Sequence, residues 1–359
     1  MSLGRYHPAL DGLRALAVLG VLMDHFSVRT PDWLPWGQMG VRFFFILSGF
    51  FATLILWRTK ERWEKEGGTV WGCVREYYMR RILRIGPAYY LTVLAGAFVL
   101  GIPEIRDHLL WHLGFVSNFL IVKIGYWPMA VSHFWSLSVQ EQFYLIWPWL
   151  VLLLPRQWFL VVCLLLIPLA QMFCALVILL ELPAVTRWVL LPGCIDSFAY
   201  GALAAYLIQM AGAEKVFVGK RGVLTFLVAA VFLAFGIMLR HEPDTSMVLG
   251  FVEMFEGVFL VWLLAAVYFC RERGPGRLLS IAPLVMVGKF SFGLYIYHIF
   301  VIILVERVWS LQAWAPWPEL PRVTLLFVLS LTMAAISYHW IENPLTRWWK
   351  NRKMRLETV

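Results

Sequence analysis

The chain has 359 residues, of which 61% are hydrophobic and only 15% carry a charged side chain. A soluble globular domain is about 45–50% apolar and about 25% charged, so this composition excludes a soluble enzyme and indicates an all-α integral membrane protein. The net charge of +9 is expected to lie on loops and to set the membrane orientation, and we expect no nucleic-acid partner.

About ten apolar segments, each close to the ~20 residues that a bilayer requires, are predicted as transmembrane helices. In chain order they lie at roughly 9–28, 38–57, 86–102, 135–154, 158–181, 190–209, 223–240, 250–269, 281–304 and 322–341. The segment 109–127 is interrupted by polar residues and is expected to be re-entrant or interfacial. The sequence HWIENP closes the last span, where Pro344 is expected to stop the helix.

The positive charges predict that both termini are cytoplasmic. In that topology the inside loops and tail hold roughly three times as many Lys and Arg as the outside loops, as the positive-inside rule requires. The largest cytoplasmic loop is expected at about 58–84. The expected organisation is a single transmembrane domain over 1–345 followed by a basic cytoplasmic tail over 346–359, with no cleavable signal peptide.

The first span, LDGLRALAVLGVLMDHF, contains Arg14 and His25. They are eleven residues apart, so on a helix they share a face within about 20° and lie about 16 Å apart along the axis. Ionisable groups inside a membrane are costly and indicate a functional site. His25, near the outer end, is expected to exchange protons with a substrate hydroxyl. The alternatives are that Arg14 snorkels or pairs with Asp11, and that His25 is interfacial.

The segment MRRILRIGPAYY places three arginines immediately before a predicted span, Arg80, Arg81 and Arg84. Guanidinium groups match phosphate oxygens in pairs, so these residues are candidates to bind a phosphorylated donor at the cytoplasmic face. The alternative is a polybasic segment that sets orientation or contacts anionic lipid.

The segment GVRFFFILSGFF contains a step of small residues, Ser48 and Gly49, after a bulky run. Small residues in a membrane helix allow a neighbouring helix to approach closely, or bring the backbone near a ligand. Both interpretations remain open for this step.

The segment SHFWSLSVQEQFYLIWP carries Glu141 inside a span, with Trp135 and Ser136 at its outer end. An intramembrane carboxylate needs a partner. Glu141 is expected to orient the imidazole of His25, as acid–base sites require. The alternative is that Glu141 pairs with a structural arginine such as Arg42.

Other polar groups within the spans are fewer. His298 is expected near mid-membrane, where it either lines the same cavity or is a neutral histidine that donates to a carbonyl. The five cysteines show no metal-ligand spacing and are expected to be packed thiols, so we expect no metal site.

Taken together, these segments resemble the acyltransferase-3 family of integral membrane acyltransferases, which includes bacterial polysaccharide O-acetylases. The resembling segments run in order along nearly the whole chain: LDGLRALAVLGVLMDHF, FFFILSGFF, RRILRIGPAYYL, FWSLSVQEQFYLIWP, FSFGLYIYHIF and HWIENP. In that family an arginine and a histidine spaced as Arg14 and His25 are considered functional, and so is an arginine pair that matches Arg81 and Arg84.

The resemblance implies an O-acyltransferase of the bacterial inner membrane. Such enzymes take an acyl group, acetyl by default, from cytoplasmic acetyl-CoA or another acyl-CoA and deliver it to a hydroxyl of a glycan or glycolipid on the outer side. His25 would act as a general base or as a transient acyl carrier. The expected site residues are His25, Arg14 and Glu141 for catalysis, Arg80, Arg81, Arg84 and Ser48 for the donor, and Trp135, Ser136 and His298 for the acceptor.

Some family members carry a fused C-terminal SGNH-type hydrolase domain, which this chain is expected to lack. Transfer is therefore expected to finish in the membrane domain or with a separate periplasmic partner. The alternative function is a proton-coupled transporter or flippase of a lipid-linked sugar, with His25, Glu141 and His298 as a proton relay. Transporters often contain internal repeats, and no repeat is visible in this sequence.

Overall fold

The computed structural model of the chain is all-helical, without a strand among the residues that it describes, which confirms the predicted fold class. The described residues are 6–28, 35–239, 246–270, 274–308 and 318–357. Several loop arginines that contribute to the predicted topology lie outside them: Arg29, Arg240, Arg271 and Arg273.

The chain winds through long helices joined by short ones. The described helices are α1 (Pro8–His25), α2 (Trp36–Glu66), α3 (Val70–Leu94), α4 (Pro103–Arg106), α5 (Leu109–Leu113), α6 (Ser117–Ile124), α7 (Phe134–Leu153), α8 (Arg156–Leu179), α9 (Val185–Val189), α10 (Leu191–Leu207), α11 (Glu214–Phe217), α12 (Gly219–Leu239), α13 (Ser246–Phe269), α14 (Gly274–Leu279), α15 (Ala282–Lys289), α16 (Ser291–Val308), α17 (Glu319–Ser337) and α18 (Asn343–Glu357). Two π-helical turns, Ala95–Val99 and Tyr338–Glu342, extend α3 and join α17 to α18.

Eight helical segments of the described chain are long and apolar enough to cross a membrane. The helices α1 and α7 coincide with two further predicted spans but are more polar. The first contains Asp11, Arg14 and Asp24, and the second contains Glu141 between two glutamines. Each predicted span thus overlaps helical segments of the described chain. The segment 109–127 consists of the short helices α5 and α6, neither of which is long enough to cross a bilayer.

The segment 58–84, expected to be the largest cytoplasmic loop, is helical except for a short turn. Helix α2 continues to Glu66 and α3 begins at Val70, so only a three-residue turn separates them. Gly67 occupies that turn with φ +74°, and the side chain of Thr69 caps α3 by accepting a hydrogen bond from the backbone N–H of Gly72 at 3.0 Å. Lys, Arg and Glu are good helix formers, so helices extend past their apolar segments. The arginines of the RRILR motif therefore lie on a helix.

Two further predicted boundaries are wrong. The helix does not stop at Pro344, because the π-helical turn restarts as α18 at Asn343. Proline is tolerated in the first turn of a new helical segment, where no backbone N–H is needed. The predicted span at 281–304 is divided at Phe290 into α15 and α16.

Helix α2 packs against α1 and α10 in the middle of the fold. A side chain at Gly49 of α2 would overlap the backbone of Phe198, and one at Gly201 of α10 would overlap the backbone of Ile46. The two backbones are in contact because both positions lack a side chain. The small-residue step after Ser48 thus serves close helix packing, as one of the two interpretations predicted.

Candidate active site

Two adjacent cavities lie beside α1 and α2. The arginine cavity, of about 440 Å³, is lined by Arg14, Ser48, Arg80, Arg81, Arg84, Gln140 and mainly apolar neighbours. The histidine cavity, of about 430 Å³, is lined by Asp24, His25, Gln38, Arg42, Trp135, Arg187 and others. Both volumes are within the range of ligand sites, about 300–1,000 Å³. Helix α1 contributes Arg14 to one cavity and His25 to the other.

The arginine cavity is strongly basic. Its described lining contains four arginines and no carboxylate. The guanidinium of Arg81 lies 3.8 Å from the ring centre of Tyr144, and that of Arg14 lies 4.4 Å from the ring centre of Phe51. Cation–π contacts of this kind hold the guanidinium planes in place. The cavity is therefore suited to an anionic ligand with several oxygens.

Carboxylates support these arginines from behind the lining. Asp11 pairs with Arg14 at 3.0 Å, as the alternative interpretation of Arg14 predicted, although Arg14 also lines the cavity. Glu76 pairs with Arg80. Glu342, from the HWIENP motif, interacts electrostatically with Arg84. The two ion pairs position the guanidinium groups of Arg14 and Arg80, and none of the three carboxylates belongs to the described lining of the cavity.

Ser48 lies in the arginine cavity, as predicted for a donor-binding residue, and its hydroxyl accepts a hydrogen bond from the side-chain amide of Gln140. Ser136, predicted to contact the acceptor, also lines the arginine cavity. Its hydroxyl donates to the carbonyl of His133 at 3.0 Å and is hydrogen-bonded to the hydroxyl of Tyr295. Ser136 points away from the histidine cavity because it is one residue further along α7 than Trp135, about 100° around the helix.

The imidazole of His25 has a histidine partner. Nε2 of His298 lies 2.9 Å from Nδ1 of His25, and Nδ1 of His298 lies 3.1 Å from the carbonyl oxygen of Leu294. A carbonyl can only accept, so Nδ1 of His298 donates to it. When His298 is neutral, its Nε2 accepts the proton of Nδ1 of His25. This leaves Nε2 of His25 with a free lone pair, which is the state required of a general base.

This geometry corrects the predicted role of His298. Its side chain is 0% exposed, and it is not among the described residues that line the two cavities. It therefore lies behind His25 and contacts no substrate there. Its Nδ1 donates to a carbonyl, as one of the two interpretations of His298 predicted.

The predicted pairing of Glu141 with His25 is wrong. His298 occupies the position beside the imidazole, whereas Glu141 interacts electrostatically with Arg81. Glu141 faces α3 because of the way in which α7 crosses the neighbouring helices. The local sequence does not show how the helices cross. The alternative of an arginine partner agrees better with the structure, but that arginine is Arg81 and not Arg42.

That alternative partner, Arg42, forms a buried ion-pair cluster at the edge of the histidine cavity. Its guanidinium lies 3.1 Å from a carboxylate oxygen of Asp196 and 2.9 Å from one of Glu253. The cluster joins α2, α10 and α13. Both terminal nitrogens of the Arg42 guanidinium are paired with carboxylates, which compensates part of its desolvation.

The histidine cavity also has an aromatic wall. Trp135 lines it, as predicted for an acceptor-side residue, together with Trp127 and Trp188. The rings of Trp127 and Trp135 are 6.1 Å apart. Trp127, Trp188 and His133 line this cavity as well, but none of them was predicted from the sequence to be a site residue. Of these three residues, only the two tryptophans could have been found from the sequence, since they lie at the ends of apolar segments where aromatic belts form.

Comparison with known proteins gives one family. The model of the acyltransferase domain family matches residues 7–339. The putative peptidoglycan O-acetyltransferase YrhL of Bacillus subtilis is 29% identical over 95% of this chain and 55% of its own length. The peptidoglycan O-acetyltransferase OatA of Listeria monocytogenes is 27% identical over 96% of this chain and 56% of its own length.

The O-acetyltransferase OatA of Staphylococcus aureus is 26% identical, over 96% of this chain and 58% of its own length. The chain thus spans little more than half the length of these curated relatives. No solved structure matches it.

Proposed function

Because the chain belongs to the acyltransferase domain family, we propose that it is a membrane O-acyltransferase with a donor site in the arginine cavity and an acceptor site in the histidine cavity. The observation that carries this proposal is the arrangement of α1. One helix presents Arg14 to a basic cavity and His25 to the cavity beside it. A phosphorylated donor and a hydroxyl acceptor therefore have separate sites that lie next to each other.

The donor is an acyl-CoA, acetyl-CoA by default, that enters from the cytoplasm. The four arginines of the arginine cavity fit its phosphate groups, because guanidinium forks bind phosphate oxygens bidentately. Bound acyl-CoA would supply the activated thioester. Ser48 and Gln140 are hydrogen-bonded to each other in the same cavity and provide polar groups for the amide-containing arm of the donor.

His25 carries the chemistry as general base. Nε2 of His25 accepts the proton of the acceptor hydroxyl while its oxygen forms a bond to the thioester carbonyl carbon. The carbon–sulfur bond then breaks, and His25 returns the same proton to the departing thiolate. The products are an ester and a thiol, and His25 is regenerated. His298 keeps Nδ1 of His25 protonated through the 2.9 Å contact, so that Nε2 remains the basic nitrogen.

The acceptor is a hydroxyl of a glycan or glycolipid on the extracytoplasmic side. Tryptophan rings pack against the apolar faces of sugar rings, and carboxylates accept hydrogen bonds from sugar hydroxyls. The histidine cavity provides both, with Trp127 and Trp135 on one wall and Asp24 beside His25. Two of the relatives are named for peptidoglycan O-acetylation, so peptidoglycan is the first acceptor to test.

The test uses the purified chain in liposomes with isotope-labelled acetyl-CoA and soluble peptidoglycan fragments. Mass spectrometry of the fragments is expected to show alkali-labile acetyl esters with the wild-type protein. His25→Ala is expected to form none while inserting into liposomes and unfolding at the same temperature. Wild-type acetylation by His25→Ala would contradict the mechanism. Uptake of a lipid-linked sugar without any ester would instead establish the transporter.

The same preparation separates a general base from an acyl carrier. Acid quenching of wild-type protein mixed with labelled acetyl-CoA in the absence of acceptor is expected to leave no label on the protein. A label on the peptide that contains His25 would show the covalent route.

A further inference from the structure

Three side chains separate the two cavities. Val41, Phe45 and Tyr295 line both the arginine cavity and the histidine cavity. A side chain that contacts two neighbouring cavities must lie between them. We call these three residues the dividing wall. Phe45 is 2% exposed and Tyr295 is 6% exposed, so both rings are enclosed by neighbouring side chains.

The dividing wall is held by packing on both of its aromatic members. The ring of Phe45 stacks on Phe198 with centres 4.7 Å apart and meets the edge of Trp135 at 5.9 Å. The hydroxyl of Tyr295 is hydrogen-bonded to the hydroxyl of Ser136, and its oxygen lies 3.2 Å from the carbonyl oxygen of His133. Side chains fixed in this way do not rearrange freely to admit a larger group.

Val41 is the smallest member of the dividing wall and is only half-buried. It lies one turn before Phe45 on the same face of α2, because the two are four residues apart. The width of the passage therefore depends on its two methyl groups and on the positions of the two rings. Val41 also packs against both apolar cores of the described chain, so its variants are compared with wild type at matched stability.

We propose that the dividing wall selects the acyl group by size, which rests on the donor and acceptor sites proposed above. Phosphates held by arginines stay in one cavity, and the acceptor hydroxyl at His25 stays in the other. Only the acyl end of the thioester has to pass between Val41, Phe45 and Tyr295. An acetyl group presents one methyl to the wall, and each further methylene has to displace packed side chains.

The experiment measures kcat/KM for acetyl-, propionyl- and butyryl-CoA with one fixed acceptor. In wild type the value is expected to fall with each added methylene. Val41→Ala is expected to raise the butyryl-to-acetyl ratio about tenfold or more, since one methylene in a shaped pocket is worth roughly 10–200-fold in discrimination. Phe45→Leu is expected to change the ratio in the same direction. Val41→Ile, which narrows the passage, is expected to lower the propionyl-to-acetyl ratio.

The matched control is Ile55→Val, a shortened aliphatic side chain in the arginine cavity that is not part of the dividing wall. Its ratios are expected to equal those of wild type. Unchanged ratios in Val41→Ala and Val41→Ile, with acetyl transfer retained, would overturn size selection by the wall. A change in Ile55→Val as large as that in Val41→Ala would also overturn it. A wild-type protein that transfers no acyl group from any donor would instead refute the proposed function.

Discussion

At the scale of single residues, the cost of burying polar groups identified the first half of the site. Arg14 and His25 were recognisable because both interrupt an apolar helix. The partners of these two residues were harder to predict from the sequence. Asp11 is three residues from Arg14, within one helical turn, whereas His298 is 273 residues from His25. Local spacing predicts the first contact and carries no information about the second.

The histidine pair leads to the first prediction. His298→Ala is expected to lower kcat about 10²-fold or more, because the tautomer of His25 is no longer fixed, with KM for donor and acceptor unchanged. His298→Gln is expected to restore part of kcat. Its amide can donate to the carbonyl of Leu294 and accept from Nδ1 of His25. Steady-state kinetics on folded protein measures both variants, and a change in KM alone would show a merely structural role.

The arginine cavity leads to the second prediction. The double variant Arg81→Ala with Arg84→Ala is expected to raise the KM for acyl-CoA about tenfold or more, since hydrogen bonds between charged groups contribute about 1.5–3 kcal/mol each. The KM for the acceptor is expected to stay the same. The control is Arg156→Ala, an exposed arginine over the ring of Trp57 that pairs with Glu61. Equal effects of the control and the double variant would contradict a donor site.

At the scale of elements, small residues decide which helices meet. Gly49 and Gly201 place the backbones of α2 and α10 in contact, and this contact positions Ser48 and the dividing wall on α2. The sequence showed the small residue on α2, but it did not show which helix packs against that residue. A glycine in a membrane helix indicates that another element packs closely against it, and the fold decides which element that is.

This packing leads to the third prediction. Gly201→Ala is expected to lower stability by about 1–3 kcal/mol, because the added methyl overlaps the backbone of Ile46 and forces the helices apart. The matched control is Gly86→Ala on α3, where the nearest atom to the added carbon is 3.7 Å away on the ring of Tyr90. It is expected to be stabilising by about 0.5–1 kcal/mol. Thermal unfolding in detergent compares the two, and similar shifts would contradict backbone contact.

At the scale of the whole molecule, the two cavities require a defined orientation in the membrane. The positive-inside rule predicts that the turn between α2 and α3 is cytoplasmic and that the segment after α6 is outside. Under the proposed function, the arginine cavity would then face the side where acyl-CoA is available, and the histidine cavity would face the side of surface glycans. An inverted chain would separate each cavity from its substrate.

Sidedness is the fourth prediction. In a background without the five native cysteines, Tyr126→Cys is expected to react with a membrane-impermeant maleimide on intact cells. Lys65→Cys is expected to react only after permeabilisation. Both positions are exposed, so accessibility depends on the membrane alone. The opposite labelling pattern would contradict the topology and the proposed direction of transfer.

Composition and hydropathy by themselves determined that this is an all-α membrane protein and where its long apolar helices lie. They did so because burial of apolar length in a bilayer is a local property of the chain. Helix ends were predicted less well. Helix α3 begins as early as Val70 because polar helix formers extend it, and the chain stays helical at Pro344 because a π-helical turn precedes it. The pattern of apolar residues shows neither effect.

Only the tertiary structure decided which polar groups share a cavity. It paired His25 with His298, directed Glu141 to Arg81 and placed Ser136 in the arginine cavity. It also made Val41, Phe45 and Tyr295 a common wall. Neighbours on different helices are set by crossing angles and rotations that sum over many side chains. The sequence therefore identified the costly residues, and the packing of helices assigned them their partners.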